Sequence, residues 1–256
     1  MGKNLTYVFI FQAIMLIFSG CANENPARIY RKFESSFETV DDFKGFYIEQ
    51  QNHKNSSNHI LSEENVLTGQ FAHKAWIYAP NSPSTLAENN NHRGYPTVQF
   101  HKTSEGVFKC PCYITLMVWL DMELKSRTGE NEWFSFATFT SDTNNTWPRT
   151  FLVNLSYDGF AHLMHVPNQG ESVYDFQTTT LPFPQKEWVE LKVYLDTDPE
   201  TGYMKVWQNN MLVSQAKIKG GNGTLAQAHF GLYAPPSVES GTVYNENLLI
   251  REVEGE

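Results

Sequence analysis

Apolar residues alternate with polar or aromatic ones along stretch after stretch of this chain, and that two-residue period narrows its folding options most. In "EWVELKVYLD" (187–196), Val189, Leu191, Val193 and Leu195 share one face, while Trp188, Glu190, Lys192, Tyr194 and Asp196 share the other. "CYITLMVWLDME" (112–123) sets Ile114, Leu116, Val118 and Leu120 opposite Tyr113, Thr115, Met117, Trp119, Asp121 and Glu123. Successive side chains of a strand point to opposite faces, so each run predicts a strand with one face in a core and the other open. Similar runs, "QFAHKAWIYA", "PTVQFHKT", "WFSFATFT", "TFLVNLSY" and "GYMKVWQNN" among them, are divided by turn formers such as "SDTNNTWP", "DTDPETG" and "GGNGT". About a dozen strands without an amphipathic helix predict an all-β sandwich. No linker or composition break divides residues 33–256, which implies a single domain.

The formal net charge is −9, and no Lys/Arg-rich run is present. Binding nucleic acid by neutralising its phosphates is therefore not expected. At the N-terminus, one lysine precedes an apolar run from Tyr7 to Phe18 and then small residues, the pattern of a secretory signal peptide over residues 1–20. "FSGC" resembles a bacterial lipobox, which would make Cys21 the lipidated residue, followed by a polar tether over 21–32. An exported, membrane-anchored lipoprotein is the expectation, with the membrane reached through the anchor alone and the chain monomeric. Cys110 and Cys112 in "KCPCY" lack the further ligands of a zinc site, leaving buried thiols or a strained disulfide. Asp196, Asp198 and Glu200 in "DTDPETG" are either an ordinary acidic turn or ligands of a structural calcium ion. No other metal or cofactor is implied.

Several stretches carry a family resemblance. "EWVELKVYLDTDPETGYMKVWQNNMLVSQA", then "QAHFGLYAP" (227–235) and "VYNENLLI", resemble the concanavalin A-like jelly rolls, most closely the heparinase-I-type and alginate-lyase-type polysaccharide lyases. Val206–Val213 matches that family's Trp-bearing hairpin, and Gln99-Phe100-His101 matches its Gln-x-His motif. The family's catalytic tyrosine falls on Tyr233. His229 stands where the family has lysine, and Arg93 in "HRGYP" is the available substitute for its early cation.

The resemblance implies β-elimination on a uronate-containing polysaccharide. Such a reaction removes the proton at sugar C5, expels the oxygen at C4 and needs the neighbouring carboxylate neutralised. Gln99 and Arg93 are the candidates to neutralise it, His101 the candidate base or a further neutralising group, and Tyr233 either the acid that protonates the leaving oxygen or the base that takes the C5 proton. Trp119, Asp121, Glu123, His229 and Tyr244 are candidate substrate-binding residues. Two other readings remain: a laminin-G-like glycan-binding module without chemistry, and a jelly-roll hydrolase using the alternating carboxylates Asp121 and Glu123.

Overall fold

The computed structural model describes residues 30–39, 46–47, 56–79, 91–129, 131–177 and 179–255. The expected signal segment and Cys21 lie outside these residues.

Two antiparallel sheets of eight strands face one another. Numbered along the chain, the first sheet runs β15 (Met211–Lys217), β14 (Tyr203–Gln208), β13 (Trp188–Asp196), β8 (Cys112–Asp121), β18 (Gly241–Glu252), β4 (Ala72–Ile77) and β3 (Ser57–Ser62). Its eighth strand, β1 (Lys32–Ser35), pairs with the end of β18 beyond β4. The second sheet runs β12 (Glu171–Asp175), β11 (Ala161–Asn168), β10 (Thr150–Ser156), β9 (Trp133–Thr140), β17 (Gln227–Ala234), β6 (Thr97–Gln99) and β2 (Phe46–Tyr47). β5 (His92–Gly94) lies beyond β6 along the same edge of β17. A short ladder of β7 (Phe108–Lys109) and β16 (Thr224–Leu225) completes the set. This is the concanavalin A-like jelly-roll sandwich, all β as the alternation predicts.

The alternation sets the layers. Ile114, Leu116, Val118 and Leu120 of β8 and Val189, Leu191, Val193 and Leu195 of β13 are buried between the sheets. From the second sheet they meet Phe134, Phe136, Phe139, Phe151 and Phe230, all fully buried. Each such side chain contributes about 1.5–3 kcal/mol of transfer free energy, so the interleaved aromatic layer fixes which face of each strand turns inward. The β14–β15 hairpin closes on Asn209 and Asn210, with φ of 47° and 65°. Those paired positive values match the twist of the flanking strands, and asparagine tolerates them.

A bulge shifts the phase of β9. Ala137 lies opposite Val153 and Ser135 opposite Asn154, so β9 carries one extra residue there. The extra residue is Phe136, buried with Phe134 before it and Phe139 after it, and Thr138 lines the groove on the other face. Cys110 and Cys112 are free thiols. Asp198 Oδ1 accepts the backbone N–H groups of Glu200 and Thr201, and Asp196 Oδ1 that of Asp198. These bonds tie the acidic "DTDPETG" segment to its own backbone.

Candidate functional site

Outward side chains of the second sheet line a groove of about 490 Å³. Trp133 and Thr138 come from β9, Thr150, Leu152 and Asn154 from β10, Met164 and Val166 from β11, and Tyr174 from β12. His229 and Tyr233 of β17 and Arg93 of β5 form the opposite wall with Tyr95, while Asn145, Thr146 and Trp147 overhang it from the β9–β10 loop. The two-residue spacing of Leu152 and Asn154, and of Met164 and Val166, is the solvent-side half of the alternation whose other half fills the core.

His229 is held between two aromatic rings. Tyr95 stacks on it with centroids 3.8 Å apart and planes 10° apart, and Trp147 stacks at 5.1 Å and 26°. Burial, and secondarily the charge of Arg93, push its pKa well below the usual imidazole value, so the ring is neutral near pH 7. Its Nε2 is buried and has no hydrogen-bond partner. Asn154 is similar: Nδ2 faces the Met164 sulfur at 3.4 Å, while Oδ1 is buried without a partner. Two unmatched buried polar atoms beside one groove are unusual in a folded chain.

Tyr233 and Arg93 are cross-strand partners, so their side chains share the groove face. The Arg93 guanidinium carbon lies 5.7 Å from the Tyr233 ring centroid, and the Tyr233 and His229 centroids are 5.8 Å apart. Asn91 Nδ2 donates to the Tyr233 hydroxyl at 3.0 Å, and Trp133 packs edge-on against its ring at 5.1 Å. Burial raises the Tyr95 phenol above its usual range, against the opposing effect of Arg93, so it stays protonated. Among the described residues, Arg93 is the one charged residue of the lining, with no Asp or Glu beside it.

The sequence-predicted residues divide into three groups. Arg93, His229 and Tyr233 meet in the groove. Gln99 and His101 do not share a strand face with each other. Phe100 is fully buried, packed edge-on against Phe108 at 4.8 Å and Phe33 at 5.4 Å, and the chain turns there into a 3-10 helix, Phe100–Lys102. Thr103 closes that turn by donating its N–H and its hydroxyl to the Phe100 carbonyl. His101 therefore sits in a turn outside the groove lining, its Nδ1 3.4 Å from the Ala226 carbonyl oxygen. Gln99 lies behind the groove wall. Its Nε2 donates to Gln227 Oε1 at 2.9 Å and to Asn145 Oδ1 at 3.0 Å. Gln227 in turn donates to the carbonyls of Asp142 and Asn144, so the pair anchors the loop that carries Trp147.

Trp119, Asp121, Glu123 and Tyr244 belong to the first sheet and its exit, on the far side of the sandwich. Trp119 and Tyr244 pack edge to face at 5.3 Å, Tyr244 donates its hydroxyl to Glu64, and Asp121 faces Lys186 at 3.3 Å. Asp121 and Glu123 are exposed there, away from the groove. The residues the sequence did not single out are Tyr95, Trp133, Trp147 and Asn154. Trp133 was legible as the outward start of "WFSFATFT", whereas Trp147 is a loop residue with φ of 46°.

The fold is a concanavalin A-like β-sandwich that solved structures of other proteins share. A fungal endo-β-1,4-glucuronan lyase from Trichoderma reesei matches with a TM-score of 0.60 at 12% identity, covering 86% of this chain and 95% of that one. A cellulose-induced protein, Cip1, matches at 0.59 and 12% identity, covering 85% and 96%. A Chlorella virus alginate lyase matches at 0.51 and 10% identity, covering 76% and 89%. At these identities the likeness establishes the fold. No family model and no curated protein sequence matches the chain.

Proposed function

We propose that the groove binds an acidic polysaccharide and cleaves it at a uronate by β-elimination. The observation that carries this reading is the meeting of Arg93, the neutral His229 and Tyr233 in one aromatic-walled groove. Arg93 would pair with the uronate carboxylate, the only part of the sugar that calls for a positive charge. Trp133 and Trp147 offer flat faces for sugar rings. With the carboxylate neutralised, His229 Nε2, once Trp147 moves to admit the sugar, takes the C5 proton, the C5 electron pair forms a C4–C5 double bond, and the C4–O4 bond breaks. Tyr233 then donates its proton to the departing oxygen. Among the described residues the lining offers no pair of carboxylates of the kind a retaining or inverting hydrolase uses. The likeness to two lyases supports the reading at the level of fold. The proposal includes export and lipid anchoring through Cys21.

One observation favours a second reading, glycan binding without cleavage. The burial that keeps His229 neutral also weakens it as a base. Incubation with polyglucuronate, alginate and heparin-type polymers, followed by ultraviolet absorbance of new C4–C5 double bonds, separates the two. Absorbance that grows with the parent chain and falls about 100-fold or more in Tyr233→Phe and His229→Asn supports the lyase. A flat trace with binding retained, and weakened by Arg93→Ala, supports the binding groove. No binding at all overturns both.

A further inference from the structure

Cross-strand register joins the Arg93 end of the groove to a pair of exposed rings at the other end. His229, Thr138, Leu152, Met164 and Tyr174 are successive partners across β17, β9, β10, β11 and β12. All five line the groove. Four gaps of about 4.8 Å make the row about 19 Å long. The neighbouring row runs Arg93, Tyr233, Ser135, Asn154 and His162 across β5, β17, β9, β10 and β11. Phe176 caps the end of that row, its ring stacked on His162 with centroids 4.4 Å apart and planes 28° apart.

Tyr174 and Phe176 stand two residues apart at the end of β12, and they are 53% and 56% exposed. Their planes are 16° apart and their centroids 6.4 Å apart. His162 beneath Phe176 is buried, so Phe176 turns one face to the sheet and the other to water. Asp175, between them in sequence, points to the opposite face, where its Oδ2 lies 3.8 Å from His165 Nδ1. The backbone is held on both sides of Phe176. Ser214 donates its hydroxyl to the Asp175 carbonyl at 2.8 Å, and Gln177 donates its amide to the Leu181 carbonyl at 3.1 Å. Two large, near-parallel rings left open to water on a fixed strand end form an apolar patch of the kind that marks a binding site.

We propose that Tyr174 and Phe176 form a distal subsite of the groove, which takes a sugar ring of the same polysaccharide several units away from the uronate held by Arg93. This rests on the proposed occupation of the groove by that polymer, and it adds a direction. The polymer runs across the strands, along the two rows, with a carboxylate at the Arg93 end and the carbon face of a sugar on the rings at the other. Ring faces pack on sugar C–H groups, so the distal subsite selects for chain length and not for charge.

The test is calorimetric titration of the full chain with size-graded oligosaccharides of polyglucuronate, alginate and heparin, in a Tyr233→Phe background so that none is cut. Expected is an affinity that rises about tenfold, corresponding to about 1.4 kcal/mol, once an oligomer is long enough to span the row. Tyr174→Ala/Phe176→Ala abolishes that step and leaves short oligomers binding as before, while Tyr174→Phe/Phe176→Tyr, which keeps both rings, retains it. The step persists in high salt, because carbon contact is not screened, whereas the contribution of Arg93 weakens. A step that survives the alanine pair overturns the subsite, and in that case Arg93→Ala, by weakening every length, still upholds the groove. Equal loss at every length in the alanine pair would show that the rings only support the groove. Dissociation of a dimer by the alanine pair, read by sedimentation, would show that they meet a second copy of the chain. Either result overturns the subsite. No binding at any length overturns the subsite and the groove's proposed ligand together.

Discussion

Replacing Gln99 with leucine tests whether this residue reaches a ligand or only holds the groove's overhanging loop. Gln99 is buried, and its amide donates to Gln227 Oε1 at 2.9 Å and to Asn145 Oδ1 at 3.0 Å. Leucine removes both donors. Asn145 is exposed, so water replaces its lost bond. Gln227 has no exposed surface, so its Oε1 is left buried without a donor, at a cost of about 1–3 kcal/mol. For a domain of this size each kcal/mol lowers the melting temperature by about 2–4 °C, so a cost near 2 kcal/mol predicts a drop of about 4–8 °C.

The damage should be local before it is global. Gln227 holds the carbonyls of Asp142 and Asn144 at 2.7 and 2.8 Å, and a rotated Gln227 gives up both. The β9–β10 loop then rests on the Asp142–Arg149 ion pair and on Thr140, whose hydroxyl donates to the Arg149 carbonyl. Circular dichroism melts measure the stability loss. Limited trypsin digestion at Arg149 measures the loop, with faster cutting expected in Gln99→Leu. A melting temperature within about 1 °C of the parent, with unchanged cutting, would refute the anchor argument. Loss of polymer binding without either change would instead put Gln99 in contact with the ligand.

Gly231 lies in β17 between His229 and Tyr233 with φ of +129°, and a Cβ there would stand 2.8 Å from the Gly94 carbonyl oxygen and 2.8 Å from His73 Cε1. Gly231→Ala is expected to cost about 2–3 kcal/mol, read as a lower melting temperature; a neutral substitution would show that the strand yields there. Acid should destabilise the fold through its buried histidines. Burial lowers His59 to about 4 and holds His73 and His229 well below their usual value, so the unfolded chain binds these protons more readily than the folded one. Their contribution is complete above about pH 6.5 and is lost progressively as pH falls from 6.5 toward 4. Melting temperatures should be flat above pH 7 and fall below 6.5, and a flat profile down to pH 5 would contradict that sign.

Alternation told inside from outside but not one sheet from the other. The core faces of β8 and β13 emerge where the period places them, because burial of Ile114 or Val189 is decided within its own strand. Trp119, Tyr244, Arg93, His229 and Tyr233 are all outward residues, yet a sandwich has two outward faces. Which face each takes depends on pairings between distant segments: β8 sits between β13 and β18, whereas β17 sits between β9 and β6. No local pattern encodes those neighbours, so one expected site separated into a groove and a far surface. Gln99 and His101 fail as a pair for a different reason. Period two holds only while the chain stays extended, and Phe100, fixed in the aromatic core, starts a turn at the next step. One tertiary feature did leave a mark in the sequence. In "WFSFATFT" the phenylalanines stand at 134, 136 and 139, and no single alternation accommodates all three. If all are to be buried, one residue of the run must be extra to the ladder. Phe136, unpaired between Ser135 and Ala137, is that residue, and the phase shift turns Thr138 toward the groove.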